Sequence, residues 1–358
     1  MHVRLADIIA SETHGVSYKT LRYSLDSSDS PQDYEASAVW EQSAEASHKS
    51  KYIDLQPLSK NLALSNEQIF TYFLDGSRKV FKIDEIAYEL SGGRRAVYPV
   101  IAGQIITGIC RRQNRKLLPE TYKYEIVISL PETADYDNNA KRGFWQGLTQ
   151  KLSAGLRDSG LEISEVLSYK TGRDSRNTSF EDRGAIAVIQ SRMLEGEKSL
   201  TEYLTRKKLL NHRNYLIKDG SLEYRQKSSI PFQNYRWVIG LSKSFNPEAC
   251  INIHGKTDPG YIADLSMNHR TQAACFSYPE FFGEAHFAVW YIMKRGGIRR
   301  IIEHIEAERT HEDVIHDTHP CKHHSKKDTM LAKIFDIIKA KADHDTAEKI
   351  ILQIRSRA

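Results

Sequence analysis

Two apolar runs in this chain end on the same short phrase. Ile69-Phe70-Thr71-Tyr72-Phe73-Leu74 leads into Asp75-Gly76-Ser77, and Tyr215-Leu216-Ile217-Lys218 leads into Asp219-Gly220-Ser221. Runs of β-branched and aromatic residues bounded in this way read as strands. A strand that ends in Asp-Gly presents a carboxylate at the sheet edge, and the glycine lets the backbone turn away and leaves room beside it. Parallel neighbours stand about 4.8 Å apart, so two such strands side by side would bring both carboxylates within reach of common metal ions. Two facing carboxylates repel, and such an arrangement makes sense mainly with a divalent cation between them. Asp-Gly is also one of the commonest turn dipeptides. The recurrence after an apolar run, each time followed by serine, is what sets a metal site against a pair of ordinary turns.

The rest of the pattern says what kind of sheet could carry the two strands. Val97–Cys110 and Tyr122–Leu130 read as strands following the first, separated by Gly92-Gly93 and by the basic loop Arg111–Lys116. Three consecutive strands with short connections favour an antiparallel meander. Phe144, Leu148, Leu152 and Leu156 recur at helical spacing across Lys141–Leu156. A second helix is expected over Ala185–Leu210, carrying Ile186, Ile189, Met193, Leu194, Leu200 and Leu204, with Gly196 weakening its middle. It leads into the second Asp-Gly strand, the right-handed crossover expected between parallel strands. Tyr235–Leu241 and His286–Met293 read as further strands. Three antiparallel strands followed by parallel strands with helices define an α/β chain with a ribonuclease H-like mixed sheet, expected over residues 61–300. Residues 1–60, polar and interrupted at Asp26-Ser27-Ser28-Asp29-Ser30-Pro31, read as an accessory or oligomerisation segment, and 301–358 as a helical region.

Composition narrows the class. Fifty-one Lys and Arg against 46 Asp and Glu give a net charge of +5 in 358 residues, which suits a polyanionic partner without demanding one. No apolar stretch of membrane-spanning length and no basic-then-apolar amino terminus occur, so a cytoplasmic protein without membrane contact is expected. Cys110, Cys250, Cys275 and Cys321 form no CxxC pair, which argues against a disulfide framework.

Metal-assisted hydrolysis of a phosphodiester needs hard oxygen ligands holding cations about 4 Å apart. A third carboxylate is expected from the helix before the second strand, with Glu195, Glu197 and Glu202 as candidates; Glu195, beside Met193 and Leu194, is the first choice. Taken singly, each reads first as a solvated helix-surface acid. Lys243, after the Tyr235–Leu241 strand, could contact a scissile phosphate. His269 and His286 could position water or bind metal. Arg111, Arg112, Arg115 and Lys116 are candidates to hold a DNA backbone without reading its sequence, or are an ordinary solvated hairpin.

Phe73-Leu74-Asp75-Gly76-Ser77-Arg78, Leu216-Ile217-Lys218-Asp219-Gly220-Ser221-Leu222 and Val238-Ile239-Gly240-Leu241-Ser242-Lys243-Ser244, in that order, resemble the NurA nucleases, which work with HerA-type hexameric DNA translocases. The likeness runs from about Gln68 to Lys243. It implies a ribonuclease H-like fold, Mn²⁺- or Mg²⁺-dependent cleavage of DNA in end processing or defence, a homodimer and docking on the hexameric ATPase. By position, Asp75 and Asp219 match the family's metal-binding aspartates, Glu195 its helix glutamate and Lys243 its lysine. Its late histidine falls on His286 or His269, and the carboxy-terminal third departs from the pattern. The expected enzyme is a metal-dependent DNA nuclease using water as nucleophile, with Asp75, Glu195 and Asp219 as ligands and Lys243 and His286 beside them. The rivals are a catalytically silent assembly subunit of a translocase and an Argonaute-like nucleic-acid-binding protein, the latter disfavoured by the absence of a recognisable guide-end-binding module.

His311, His316, His319, Cys321, His323 and His324 crowd together with zinc-ligand chemistry but no standard zinc-module spacing. Met330, Leu331, Ile334, Phe335 and Ile338, then Ile350, Ile351 and Ile354, form apolar helical stripes that complete a core or dock a partner.

Overall fold

The computed structural model describes residues 5–18, 23–24, 39–43, 50–57, 69–90, 93–114, 116–136, 143–157, 160–171, 178–220, 222, 237–241, 252, 254–258, 260–278, 285–289, 292–293 and 318–319. The chain begins with helix α1 (Leu5–Glu12) and four short strands, β1 (Val16–Ser17), β2 (Tyr23–Ser24), β3 (Val39–Ser43) and β4 (Tyr52–Asp54). Three long strands follow, β5 (Phe70–Glu89), β6 (Arg95–Gln113) and β7 (Lys116–Pro131), and they form the expected antiparallel meander. Helix α2 (Phe144–Leu156), strand β8 (Glu165–Tyr169) and the long helix α3 (Thr178–Arg206) come next. Then come β9 (Tyr215–Asp219) and β10 (Val238–Leu241), a short helix α4 (Gly260–Ala263), and β11 (His269–Thr271), β12 (Ala274–Tyr278), β13 (Ala285–Val289), β14 (Ile292–Met293) and β15 (Thr318–His319).

The principal sheet has eight strands, ordered β10-β9-β5-β6-β7-β8, with β1 and β2 also pairing on β5. β9 is parallel to β5, β10 is parallel to β9, and β8 is parallel to β7. The chain is therefore α/β with a mixed sheet: an antiparallel centre flanked by parallel strands reached through helices. β1, β2 and β8 are the strands of this sheet that sequence patterning did not single out.

Helix α3 is the crossover that brings the chain from the β8 side back to β9, and it lies along one face of β5. Its residues meet successive even-numbered positions of that strand. Asp182 approaches Lys82, Gln190 accepts a hydrogen bond from Arg78, and Met193 and Glu197 lie over Gly76. Further along, Leu200 and Leu204 pack with Tyr72, Leu74, Ile109 and Leu216. Alternation along a strand assigns positions 72 to 82 of even number to the α3 face and the odd ones to the opposite face. Farther along the sheet that opposite face is covered by α1 and α2, where Ile9, Leu148 and Leu152 pack on Ile83, Ile86, Ile126, Ile128 and Val166. Burying these aliphatic side chains contributes roughly 1.5–3 kcal/mol each and fixes the register of the strands beneath.

The first stretch of chain does not stand apart from this sheet. α1 packs on α2, and β1 and β2 add to the far half of β5, at Ala87–Ile86 and at Lys82–Phe81. β4 pairs with β11 in a three-stranded sheet with β14, and β3 pairs with β12 in a four-stranded sheet with β13 and β15. The helices expected over Met330–Ile338 and Ile350–Ile354 lie outside the described residues. Among the described residues, no helix is long and apolar enough to cross a membrane.

Candidate functional site

The two Asp-Gly phrases meet. In the β5–β9 register Phe73 faces Ile217 and Leu74 faces Lys218, so Asp75 and Asp219 follow as the next position on adjacent parallel strands. The strand-end geometry expected for Asp75 is not what forms. β5 continues for 14 residues beyond it to Glu89, so Asp75 is an interior strand residue. β9 does end at Asp219, and Gly220 takes a positive φ of 86° as the chain turns away. On this edge of β5 the pairing with β9 stops at Leu74, and that with β2 begins at Phe81. Asp75 therefore opens a notch in the sheet edge. It is placed there because one parallel neighbour is short and the central strand is long.

Glycine 76 has a different task from the one its sequence suggests. A Cβ on it would lie 2.6 Å from Glu197 Oε1 and 3.1 Å from Met193 Cγ, so its bare backbone makes space for the helix glutamate rather than for a turn. Gly196 makes the same allowance one step away, where a Cβ would meet Thr107 Oγ1 at 3.0 Å. The two glycines let α3 approach the sheet closely over β5 and β6.

Among the three helix acids, Glu197 is the one brought to this place. It is 3 % exposed, and its Oε2 lies 2.9 Å from the Nζ of Lys218, itself 2 % exposed. Lys218 also donates to the backbone carbonyl of Asp219 at 3.1 Å. Burial raises the pKa of Glu197, the Lys218 ammonium acts against that rise, and the charge of Asp219 adds to it. Glu195 is placed elsewhere. Two residues back it faces about 160° round the helix, is half exposed, and accepts from Arg192 Nη1 at 3.2 Å. Arg192 in turn pairs with Glu125 and Glu165, so Glu195 belongs to an ion network on β7 and β8, away from Asp75. Glu202 is partly buried on α3, five residues past Glu197 and so about 140° round the helix from it.

The two aspartates and the glutamate do not share one face. Lys218, like Leu216, lies on the α3 side, so alternation turns Asp219 to the other side, where Asp75 also points. There Asp75, 7 % exposed, accepts the backbone N–H of Gly76 at 2.8 Å and stands near Cys110. Burial, and secondarily the charge of Asp75, pushes the Cys110 thiol up to about 11. Glu197 reaches the same point of β5 from the α3 side, through the space over Gly76. Among the described residues, no three His, Cys, Asp or Glu side chains converge as a ready-made set of metal ligands.

The other expected residues lie as follows. Lys243 and Arg115 are outside the described residues. His286 is on β13, opposite Ser277 of β12, and His269 is on β11, opposite Asp54 of β4, so both sit in the smaller sheets rather than on the strands that carry Asp75 and Asp219. His269 Nδ1 is 3.0 Å from the Met267 carbonyl oxygen. Of the crowded histidine segment, only His319 falls in a described strand, beside Val289. At the hairpin tip, Arg111 Nε pairs with Glu120 at 3.2 Å, and the Arg112 guanidinium lies 5.8 Å from the Phe73 ring centre, on the face of Asp75. Lys218 was not singled out from sequence. The available signal was a lone lysine inside an otherwise apolar strand.

No family model and no curated protein matches this chain.

Proposed function

We propose that this protein is a metal-dependent DNA nuclease with a ribonuclease H-like core, of the kind represented by NurA enzymes, acting with a HerA-type hexameric ATPase. The single observation that carries the reading is the register placing Asp75 beside Asp219 on neighbouring parallel strands, at the notch where β9 ends. The order of a three-strand meander, a helix crossover and two parallel strands supports the core assignment. A Mn²⁺ or Mg²⁺ ion suits the oxygen donors of Asp75 and Asp219, while buried Glu197, paired with Lys218, stands over the same point of β5 from the α3 side. Bound there, the cation would polarise a phosphodiester and lower the pKa of water.

The chain's own residues would do the rest. Gly76 gives the Glu197 carboxylate room against β5, Lys218 fixes that carboxylate, and Arg112 sets a positive charge on the aspartate face for a phosphate backbone. A homodimer, and action on DNA ends in repair or defence, belong to the same proposal and rest on the likeness of the three motifs.

One observation favours a second reading: the buried Lys218–Glu197 pair already neutralises the helix glutamate, as a catalytically silent assembly subunit could retain it. Incubation of the protein with end-labelled linear and with circular DNA, in Mn²⁺, Mg²⁺ or chelator, separates the two. The nuclease reading expects cleavage that needs the metal and is lost in Asp75→Asn and Asp219→Asn. Metal-independent inertness of the wild type, with partner binding intact in both variants, contradicts it.

A further inference from the structure

Lys218 does more at this place than the proposed chemistry requires of it. It lies inside the apolar strand Tyr215-Leu216-Ile217, immediately before a carboxylate the site needs, and is 2 % exposed. At that depth it cannot reach a nucleic-acid phosphate without leaving its seat. An ammonium is costly to bury, and the oxygens that compensate it include Glu197 Oε2 at 2.9 Å and the Asp219 carbonyl at 3.1 Å, a residue or a helix turn from the notch. Oxygens of this type, a carboxylate and a backbone carbonyl, are those a hard divalent cation takes. The space over Gly76 is filled by Glu197, so the carboxylate is already at the strand when Lys218 holds it.

We infer that Lys218 is a built-in cation that holds the Glu197 carboxylate at the strand in the metal-free protein and competes with a divalent ion for it. The inference rests on the metal-site reading above. Lys218 is a positioning residue here. It keeps a buried carboxylate compensated when no ion is present, and any ion that recruits Glu197 must displace the ammonium. The stability of the metal-free fold is thus set against affinity for the metal, through one side chain.

The test is a Mn²⁺ titration of full-length protein followed by electron paramagnetic resonance, with thermal melting measured with and without Mn²⁺. Wild type, Lys218→Met, Glu197→Gln, the Lys218→Met/Glu197→Gln double variant and Asp75→Asn are compared. Lys218→Met is expected to melt lower without metal, to bind Mn²⁺ about tenfold more tightly than wild type, and to gain more in melting temperature from Mn²⁺. In the Glu197→Gln background the same substitution is expected to change Mn²⁺ affinity by less than twofold, since the gain runs through that carboxylate. If Lys218→Met proves too unstable for a titration, Mn²⁺-dependent recovery of its folded state supports the proposal, and absence of recovery overturns it. Mn²⁺ binding that is lost in Asp75→Asn but unchanged in Lys218→Met overturns the role of Lys218 and leaves the metal site standing. No Mn²⁺ binding by wild type or by Lys218→Met overturns both.

Discussion

Replacing Gly76 with alanine is a direct probe of how α3 meets β5. The new Cβ would be placed 2.6 Å from Glu197 Oε1, 3.1 Å from Met193 Cγ and 3.2 Å from Met193 Sδ. On its own, removing a glycine from a strand interior favours folding by about 0.5–1 kcal/mol. Against that stands overpacking, at about 1–3 kcal/mol. The Glu197 carboxylate cannot simply swing aside, because it is 3 % exposed and tied to Lys218 at 2.9 Å. Pushing it off that partner would leave a buried charge uncompensated, at a cost of about 3–5 kcal/mol. The overpacking and ion-pair terms outweigh the backbone term, and Gly76→Ala is expected to be less stable than wild type by at least about 1 kcal/mol. A urea unfolding curve at unchanged slope reads this as a lower midpoint. Gly147→Ala is the control: nothing lies within 4 Å of the Cβ it would carry in α2, so a gain of about 0.5–1 kcal/mol is expected. Stability of Gly76→Ala equal to or above wild type would refute the placement of Glu197 over the strand.

Further outcomes follow from the same geometry. Glu195→Gln removes one side of an exposed ion pair and should change stability by no more than about 0.5 kcal/mol, with no effect on Mn²⁺-dependent melting; a change as large as that of Glu197→Gln would show that the wrong helix acid has been placed at the site. Asp75→Asn and Asp219→Asn should each reduce metal-dependent DNA cleavage by about 100-fold or more, the scale on which loss of a main electrostatic stabiliser acts, while melting without metal stays cooperative in a thermal scan. Cys110 is fully buried with its thiol raised to about 11, so below that pH it is held as the neutral thiol; mass spectrometry of the Cys110 peptide after iodoacetamide at pH 8 should show labelling only once the protein is unfolded.

The sequence carried much of this arrangement because the sheet is written in strong hydrophobic patterns. The order of the β5 to β7 meander, the helix ending at Leu156 and the strand Tyr215–Asp219 follow from apolar alternation or helical spacing. What it concealed has identifiable causes. Ser77-Arg78-Lys79 after Asp75-Gly76 reads as a polar turn, yet Arg78 extends to Gln190 on α3 at 2.5 Å and Val80 is fully buried, so the strand runs on. A turn dipeptide and a glycine that admits a helix look alike until the partner is known.

Glu195 and Glu197 differ in their phase on the helix. The buried positions Ile186, Ile189, Met193, Leu200 and Leu204 mark one stripe of α3, and Glu197 fills its gap four residues after Met193 and three before Leu200. A glutamate at a core position of such a stripe is the mark of a partnered buried acid, and the partner was the equally misplaced lysine of β9. β8 was missed because Glu165 and Ser168 dilute its alternation; its place is secured by parallel pairing to Val127–Pro131, which local sequence does not encode.

The central claim is that Asp75 and Asp219 hold a divalent cation between them at the notch in β5. Diffraction from crystals of the protein soaked in Mn²⁺, collected for the anomalous signal of manganese, tests it most directly. The account predicts an anomalous peak within coordination distance of both carboxylates, absent from crystals of Asp219→Asn. Manganese bound elsewhere on the protein, with none between residues 75 and 219 under saturating soak, would contradict it.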